Sequence, residues 1–409
     1  MKKKQYLLIF ICCLAYCANY MCRSSYGANI NCFRDEYGIS LTEAGLVSTL
    51  FFFTYGVGQV INSFISPHYN KRLSISLPLI GLGILTLLNF FKFDFSIYKY
   101  IWIGCGICSS FLWSSIIKLT SDNIDDDMTD AAALGFVLAV SIGTIATYLL
   151  SSLFASINQY RFIFLVSAVF SIISAIIYFI LVKDFNYSPK MVDQSIKEKG
   201  SGFYEKMNPP KRGMLFLIFF MFSATLCNIV MDSLLTWTPP ILKDEFSFNN
   251  SLSIFFGVML PLIRSFGGAF NTLLEKRKVK HLIILSMLMV VALISFSMIV
   301  LSLDKNLVIL FIVSAIVSYV PYICLNNLLT SIIPLKIRSY YDSGIIAGIV
   351  DGFAYAGSAL STFAVPLLVE RTNWTVLFIA FIGISSFILL ISVILLLCFR
   401  KKHEYHSFL

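Results

Sequence analysis

The chain has 409 residues, of which 58% are hydrophobic and only 13% are charged, and its mean hydropathy is +0.82. A typical soluble protein carries about twice this charged fraction. The composition therefore excludes a soluble enzyme, a disordered protein and a nucleic-acid binder that works through the net charge of +9. The ten cysteines show no disulfide or zinc spacing. We expect a membrane protein with many spans, no enzymatic activity and no cofactor or metal.

The first apolar segment is predicted to stay in the protein as a membrane span. Three lysines precede it, as in a secretory signal, but Tyr16 is too large for the position before a lipoprotein cleavage cysteine at Cys17. A bilayer crossing needs roughly 20 helical residues. Reading between charges and turn residues, we predict twelve spans near residues 6–30, 42–66, 73–91, 100–119, 131–155, 161–182, 213–237, 251–274, 282–303, 307–333, 343–369 and 375–399.

The distribution of basic residues predicts that both termini are cytoplasmic. With the N-terminus inside, the inner segments hold 22 Lys and Arg residues and the outer loops hold 7. Such an excess of positive charge is typical of cytoplasmic loops. We therefore expect a multi-pass protein of the cell membrane, the plasma or inner membrane.

One long polar segment divides the chain into two halves. It covers residues 183–212 and separates a six-span bundle at 1–182 from a second one at 213–409, which ends in a short cytoplasmic tail. Only helices of this length satisfy their backbone groups in lipid. The sequence thus predicts an all-α integral membrane protein with the major facilitator fold, in which two halves rock about a central substrate site. We expect a monomer.

Four ionisable residues fall inside predicted spans, where a charge is costly and needs a reason: Arg23, Asp232, Arg264 and Asp351. Arg23 shares one helical face with other polar side chains, which predicts that this face looks into the bundle. Arg264 comes from the other half, and two guanidiniums on one cavity would form an anion site. Structural pairing with an internal carboxylate is the alternative for each arginine. Asp232 and Asp351 are candidates for coupling or gating, and the remaining candidate substrate contacts are Asn19, Tyr20, Gln59, Tyr322 and Asn326.

Several segments resemble the organophosphate:phosphate antiporters, the sugar-phosphate permease branch of the major facilitator superfamily. They are YCANYMCRSSYGANI, TYGVGQVINS, WTPPILKDEF, YVPY and IVDGFAYAGSAL. The resemblance implies import of a phosphorylated molecule in exchange for phosphate, with one arginine from each half on the phosphoryl group. Arg23 matches the first of these arginines. Met231 stands at the second, Gln59 at a family lysine and Val140 at a family histidine, so the basic lining is thinner here.

The leading interpretation is a secondary active transporter of a small organic anion, either phosphorylated or carboxylated, that works by alternating access and anion exchange. The coupling species would be inorganic phosphate or protons. A proton-coupled symporter of carboxylates or sugar acids is the main alternative, and it requires Asp232 or Asp351 to titrate. A membrane-embedded ligand sensor is a third interpretation. No nucleic-acid partner is expected.

Overall fold

The computed structural model describes residues 2–65, 70–125, 128–185, 213–266, 281–332 and 343–399, and all regular secondary structure in these ranges is helical. The first half, residues 2–185, contains α1 Lys2–Ala28, α2 Ile30–Tyr37, α3 Leu41–Ile65, α4 Lys71–Leu88, α5 Phe95–Ser110, α6 Leu112–Asn123, α7 Thr129–Ser156 and α8 Phe162–Leu181. The second half, residues 213–399, contains α9 Gly213–Asp244, α10 Asn250–Gly257, α11 His281–Asp304, α12 Val308–Asn327, α13 Ser343–Arg371 and α14 Trp374–Phe399.

Eleven helices in the described ranges are long and apolar enough to cross a membrane. Their positions agree with the predicted spans, and α5 and α6 together form one of them. The predicted span 251–274 is described as the shorter apolar helix Asn250–Phe266, and its last residues lie outside the described part of the chain. Most of the predicted linker 183–212 also lies outside it, apart from a short 3-10 turn at Val182–Asp184 and Phe185. The prediction of an all-α protein with many helices of membrane length is confirmed within these ranges.

Helix α9 continues seven residues beyond the predicted end of its span, through the pair Pro239 and Pro240. Proline lacks the backbone N–H that would bond the carbonyl four residues earlier, so Pro239 leaves the Leu235 carbonyl without its helical partner. The hydroxyl of Tyr148, on α7, donates to that carbonyl oxygen at 3.1 Å. A side chain from the other half therefore replaces the lost bond, which explains why the helix does not end at the prolines.

The two halves meet along α3 and α13, which pack closely over much of their length. Gly45 makes this approach possible, since a Cβ there would lie 2.4 Å from the Thr362 carbonyl oxygen and 2.9 Å from Pro366. Nearby, the Thr49 and Thr362 hydroxyls are hydrogen-bonded at 3.0 Å. Small residues at helix crossings allow this kind of close backbone contact in membranes.

One end of the bundle, which we call the charged end, is closed by ion pairs between the halves. Arg34 pairs with Asp244 at 3.2 Å, and Lys243 pairs with Asp35 at 2.5 Å. Asn250 also donates to Asp35 at 2.8 Å. Burial raises the pKa of Asp35, but the hydrogen bonds from Lys243 and Asn250 outweigh that effect and hold the pKa below its usual value. The carboxylate form of Asp35 therefore favours the closed arrangement.

Glu370 adds a further link at the charged end. It lies near the end of α13, and its carboxylate accepts from the backbone N–H of Thr42 at 2.9 Å and from the Thr42 hydroxyl at 2.5 Å. Thr42 is the second residue of α3, where helical N–H groups have no partner within the helix. A carboxylate of the second half thus caps a helix of the first half.

Candidate substrate-binding cavity

A cavity lies between the two halves of the protein. Helices α1, α3, α5 and α7 line it from the first half, and α9 and Arg264 line it from the second. Its lining residues are Tyr20, Arg23, Ser24, Tyr26, Gly27, Ser48, Phe51, Phe52, Trp102, Thr144, Tyr148, Asp232, Leu235, Thr236 and Arg264. A few charged and hydroxyl groups set among aromatic side chains are typical of a small-molecule site.

The guanidinium of Arg23 is held by aromatic residues. Its Nη1 donates to the Tyr355 hydroxyl at 3.0 Å and to the Tyr20 hydroxyl at 3.3 Å. Five rings surround its Cζ with centroids at 5.0 to 5.9 Å, those of Tyr20, Phe51, Phe52, Tyr55 and Tyr355. Contacts with ring faces favour a cation without neutralising it. Arg23 is therefore fixed in position while its charge stays available.

Arg264 lies on the helical segment 259–266 that follows α10, and its side chain is partly buried. The buried hydroxyl of Tyr319, on α12, is close to this guanidinium. Ion pairs in the described part of the chain involve Arg34, Lys92, Arg161 and Lys243. Among the described residues, neither Arg23 nor Arg264 forms an ion pair with a carboxylate.

Two aspartates accompany the arginines. Asp232, on α9, lines the cavity and is only 4% exposed, and its Oδ2 accepts a short hydrogen bond from the Ser358 hydroxyl. Asp351, on α13, lies outside the cavity lining, and its Oδ2 accepts from the Gln59 amide at 3.1 Å. The hydrogen bond between Gln59 and Asp351 joins the two halves, because Gln59 lies on α3 and Asp351 lies on α13.

The structure brings four of the predicted site residues to one cavity: Tyr20, Arg23, Asp232 and Arg264. It places the other five elsewhere. Gln59 and Asp351 bond each other, and Asn326 accepts from Asn228 at 3.0 Å. Tyr322 is fully buried and hydrogen-bonded to Ser385 at 2.7 Å. Asn19 is fully buried outside the lining, and neither of its amide atoms has a partner among the described residues.

The aromatic part of the cavity was not predicted from the sequence. Phe51, Phe52 and Trp102 look like ordinary apolar residues of a span, and nothing in their spacing marks them. Tyr355 carried a usable signal, because it lies four residues after Asp351 on the same helical face. Its hydroxyl is the contact through which the second half holds Arg23.

A bundle of membrane-length helices around one central cavity with two arginines is the architecture of a membrane transporter. The sequence profile of the Major Facilitator Superfamily matches residues 12–341, and the chain belongs to this superfamily. In this fold, two helical halves rock about a central binding site.

One curated relative is the membrane sensor protein UhpC of Escherichia coli (strain K12), which is 28% identical over 107 residues. The aligned part is 24% of this chain and 24% of that protein, so the chain matches about a quarter of the relative's length. This match supports the predicted resemblance over a limited region.

Solved transporters share the fold over nearly the whole chain. A bacterial homologue of the human lysosomal transporter Spinster, in an inward-facing and unoccupied conformation, is 14% identical with a TM-score of 0.67, and the alignment covers 96% of this chain and 99% of that one. A POT family transporter in complex with 5-aminolevulinic acid is 15% identical with a TM-score of 0.72, covering 97% and 96%. At such identities the likeness concerns the fold alone.

Proposed function

We propose that this transporter carries a small organic anion, a phosphorylated or carboxylated metabolite, and that Arg23 and Arg264 bind its acidic group. The observation that carries the proposal is that two guanidiniums, one from each half, line one cavity without a carboxylate in contact among the described residues. A buried charge is costly unless it is paired. An anionic ligand supplies the missing partner.

The same placement links binding to movement. A ligand that contacts both arginines bridges the halves, so it stabilises states in which they are close together. Arg23 already contacts the second half through Tyr355, whereas Arg264 lies near the Tyr319 hydroxyl of its own half. Binding therefore favours closure around the anion. An empty cavity keeps a net positive charge without an anionic partner and opposes that closure.

We propose anion exchange as the transport mode. Since the empty cavity resists closure, return of the carrier is favoured when a second anion, such as inorganic phosphate, occupies the arginines. Tyr20, Thr144 and Thr236 line the same cavity, and we propose that their hydroxyls contact the rest of the molecule. Direct substrate contact by Asn19, Gln59, Tyr322 and Asn326 remains a prediction.

Proton-coupled symport is the second candidate, and the hydrogen bond between Gln59 and Asp351 favours it. This bond joins the halves through an ionisable group close to Arg23. A proton on Asp351 would alter both that contact and the field at the arginines. A monoanion moved with one proton is electrically neutral and gains nothing from the membrane potential.

A ligand sensor is the third candidate, favoured only by the regional match to a membrane sensor protein. A sensor would bind the same anion at the same arginines but would not move it. Measured uptake by the purified protein therefore separates a sensor from a transporter.

Reconstitution into liposomes tests the proposal. We expect uptake of a labelled organic anion that requires internal phosphate or another anion and is unaffected by a protonophore. Uptake that needs no internal anion and collapses with a protonophore would establish symport instead. Specific anion binding without any flux would establish a sensor.

The proposal includes a location in the cell membrane, with both termini cytoplasmic and a monomer as the working unit. Labelling of single cysteines introduced at the charged end and near the N-terminus, in intact cells, tests the orientation. In this orientation the charged end faces the outside of the cell. We therefore expect an impermeant reagent to label the cysteine at the charged end and not the cysteine near the N-terminus.

A further inference from the structure

We infer that Asp232 recognises a protonated amine on the transported anion, so that the substrate carries an acidic group at one end and an ammonium group at the other. This inference rests on the proposed function and concerns the same cavity. The juxtaposition that carries it is one carboxylate lining the cavity that holds Arg23 and Arg264, with no ion pair to either arginine among the described residues.

The carboxylate of Asp232 is only partly satisfied. Its Oδ2 accepts from the Ser358 hydroxyl, and its Oδ1 has no hydrogen bond within the described ranges. The residue is 4% exposed and belongs to the cavity lining, and we assign its free oxygen to the ligand. A buried carboxylate with one neutral donor is an expensive arrangement that a cationic ligand group relieves.

The charges in the cavity lining select the same ligand. Two guanidiniums and one carboxylate sum to a net charge of +1, which a ligand of net charge −1 balances. A dianionic phosphate without an amine overcompensates and also brings its oxygens toward the Asp232 carboxylate. A phosphate monoester with an ammonium end has net charge −1, and an amino carboxylate has net charge 0. Both offer a partner to each of the three charged side chains, and of these two only the phosphate monoester also balances the charge of the cavity.

Ordinary helix stabilisation does not account for Asp232. The structure shows no basic residue paired with it in the described part of the chain, and Ser358 alone needs no ionised partner. The neighbouring lining residues on α9, Leu235 and Thr236, bring no positive charge. The positive groups near it are the two arginines assigned to the acidic end of the ligand, which leaves the free oxygen for a second cation.

The test compares ligands that differ only at the end opposite the acidic group. The purified full-length protein is titrated with 2-aminoethyl phosphate and with its isostere propyl phosphate, and separately with 3-aminopropanoate and its isostere butanoate. Binding is read by thermal stabilisation. We expect the amine to bind at least about tenfold more tightly in one of the two pairs, since a hydrogen bond between charged groups is worth that much.

The variant Asp232→Asn should remove this preference for the amine. The control variant Asp304→Asn should keep the preference, because it changes an exposed carboxylate at the end of α11. The comparison of isosteres in the wild-type protein needs no variant, so it stands even if Asp232→Asn does not fold. Equal or tighter binding of both amine-free ligands to the wild-type protein overturns the inference.

Two further outcomes would give Asp232 or the arginines a different role. If propyl phosphate binds about tenfold more tightly per unit of falling pH and Asp232→Asn abolishes that dependence, Asp232 binds a proton and not an amine, and the inference is wrong. If Arg23→Lys binds all four ligands as tightly as the wild-type protein does, or if the wild-type protein binds none of them, the proposed anion site itself fails.

Discussion

Replacing Arg23 by lysine keeps the positive charge of the cavity and removes the planar fork of the guanidinium. The Arg23 Nη1 donates to the Tyr20 and Tyr355 hydroxyls, which leaves the other guanidinium nitrogen atoms for a ligand. A lysine ammonium is a single point of charge on a flexible stem. The ammonium group cannot bond the tyrosine hydroxyls and also form the bidentate bond that a guanidinium makes with the anion.

The expected loss follows from the bonds removed. Losing one charge-assisted hydrogen bond to the ligand costs about 1.5–3 kcal/mol. Since 1.4 kcal/mol corresponds to a factor of about ten, affinity for the anion should fall about 10- to 100-fold. The five surrounding rings still favour a cation, so the variant should fold and reach the membrane in normal amounts.

The assay is equilibrium binding of the anion to purified wild-type and Arg23→Lys protein, together with uptake into liposomes. The matched control is Arg371→Lys, at the exposed end of α13, which should bind as the wild-type protein does. Wild-type affinity in Arg23→Lys would refute the assignment of Arg23 to the ligand, since the charge alone would then suffice.

Three further predictions follow from other parts of the structure. Arg264→Ala should lose most transport while retaining weak anion binding at Arg23, as measured by uptake and by thermal stabilisation in parallel. Tyr148→Phe removes the donor to the Leu235 carbonyl and should destabilise the protein by about 1–3 kcal/mol, as measured by unfolding. Acidification should open the charged end, because the lowered pKa of Asp35 means that its stabilising ion pair with Lys243 is present at neutral pH and is lost as pH falls through the carboxyl range. After correction for the intrinsic pH dependence of amide exchange, residues 30–37 should lose protection from hydrogen exchange as the pH falls.

Full transport by Arg264→Ala would make that arginine structural. Tyr100→Phe, at a side chain that is 74% exposed, should not change stability, and an equal loss in both tyrosine variants would remove the reason given for the continuation of α9. Lys243→Ala should show fast exchange in the 30–37 segment already at neutral pH, and slow exchange there at all pH values would contradict the role of the ion pairs.

Much of the fold was predictable because the bilayer leaves the backbone few choices. An apolar run of membrane length must be helical, so helix positions follow from hydropathy and charge. The end of α9 was misplaced because proline normally ends a helix, and the bond that preserves it comes from Tyr148, more than eighty residues away. The sequence around the two prolines gives no indication of a hydrogen bond from so distant a side chain.

The cavity was predictable where a charge in a span demanded a physical reason, as for Arg23, Asp232 and Arg264. It was not predictable where ordinary residues acquire a role by position, as for Phe52 or Trp102. Helical periodicity gives the face of a polar residue but not the neighbour it meets. Tyr322 meets Ser385, and Asn326 meets Asn228, because each has a polar partner within its own half.

The most direct measurement is a binding screen of the purified protein against phosphorylated and carboxylated metabolites, each beside its uncharged analogue. Stabilisation by at least one acid but not by its analogue, with a loss of about tenfold or more in Arg23→Lys, is what the two cavity guanidiniums predict. Equal stabilisation by the uncharged analogues, or by cations, in both proteins would contradict them.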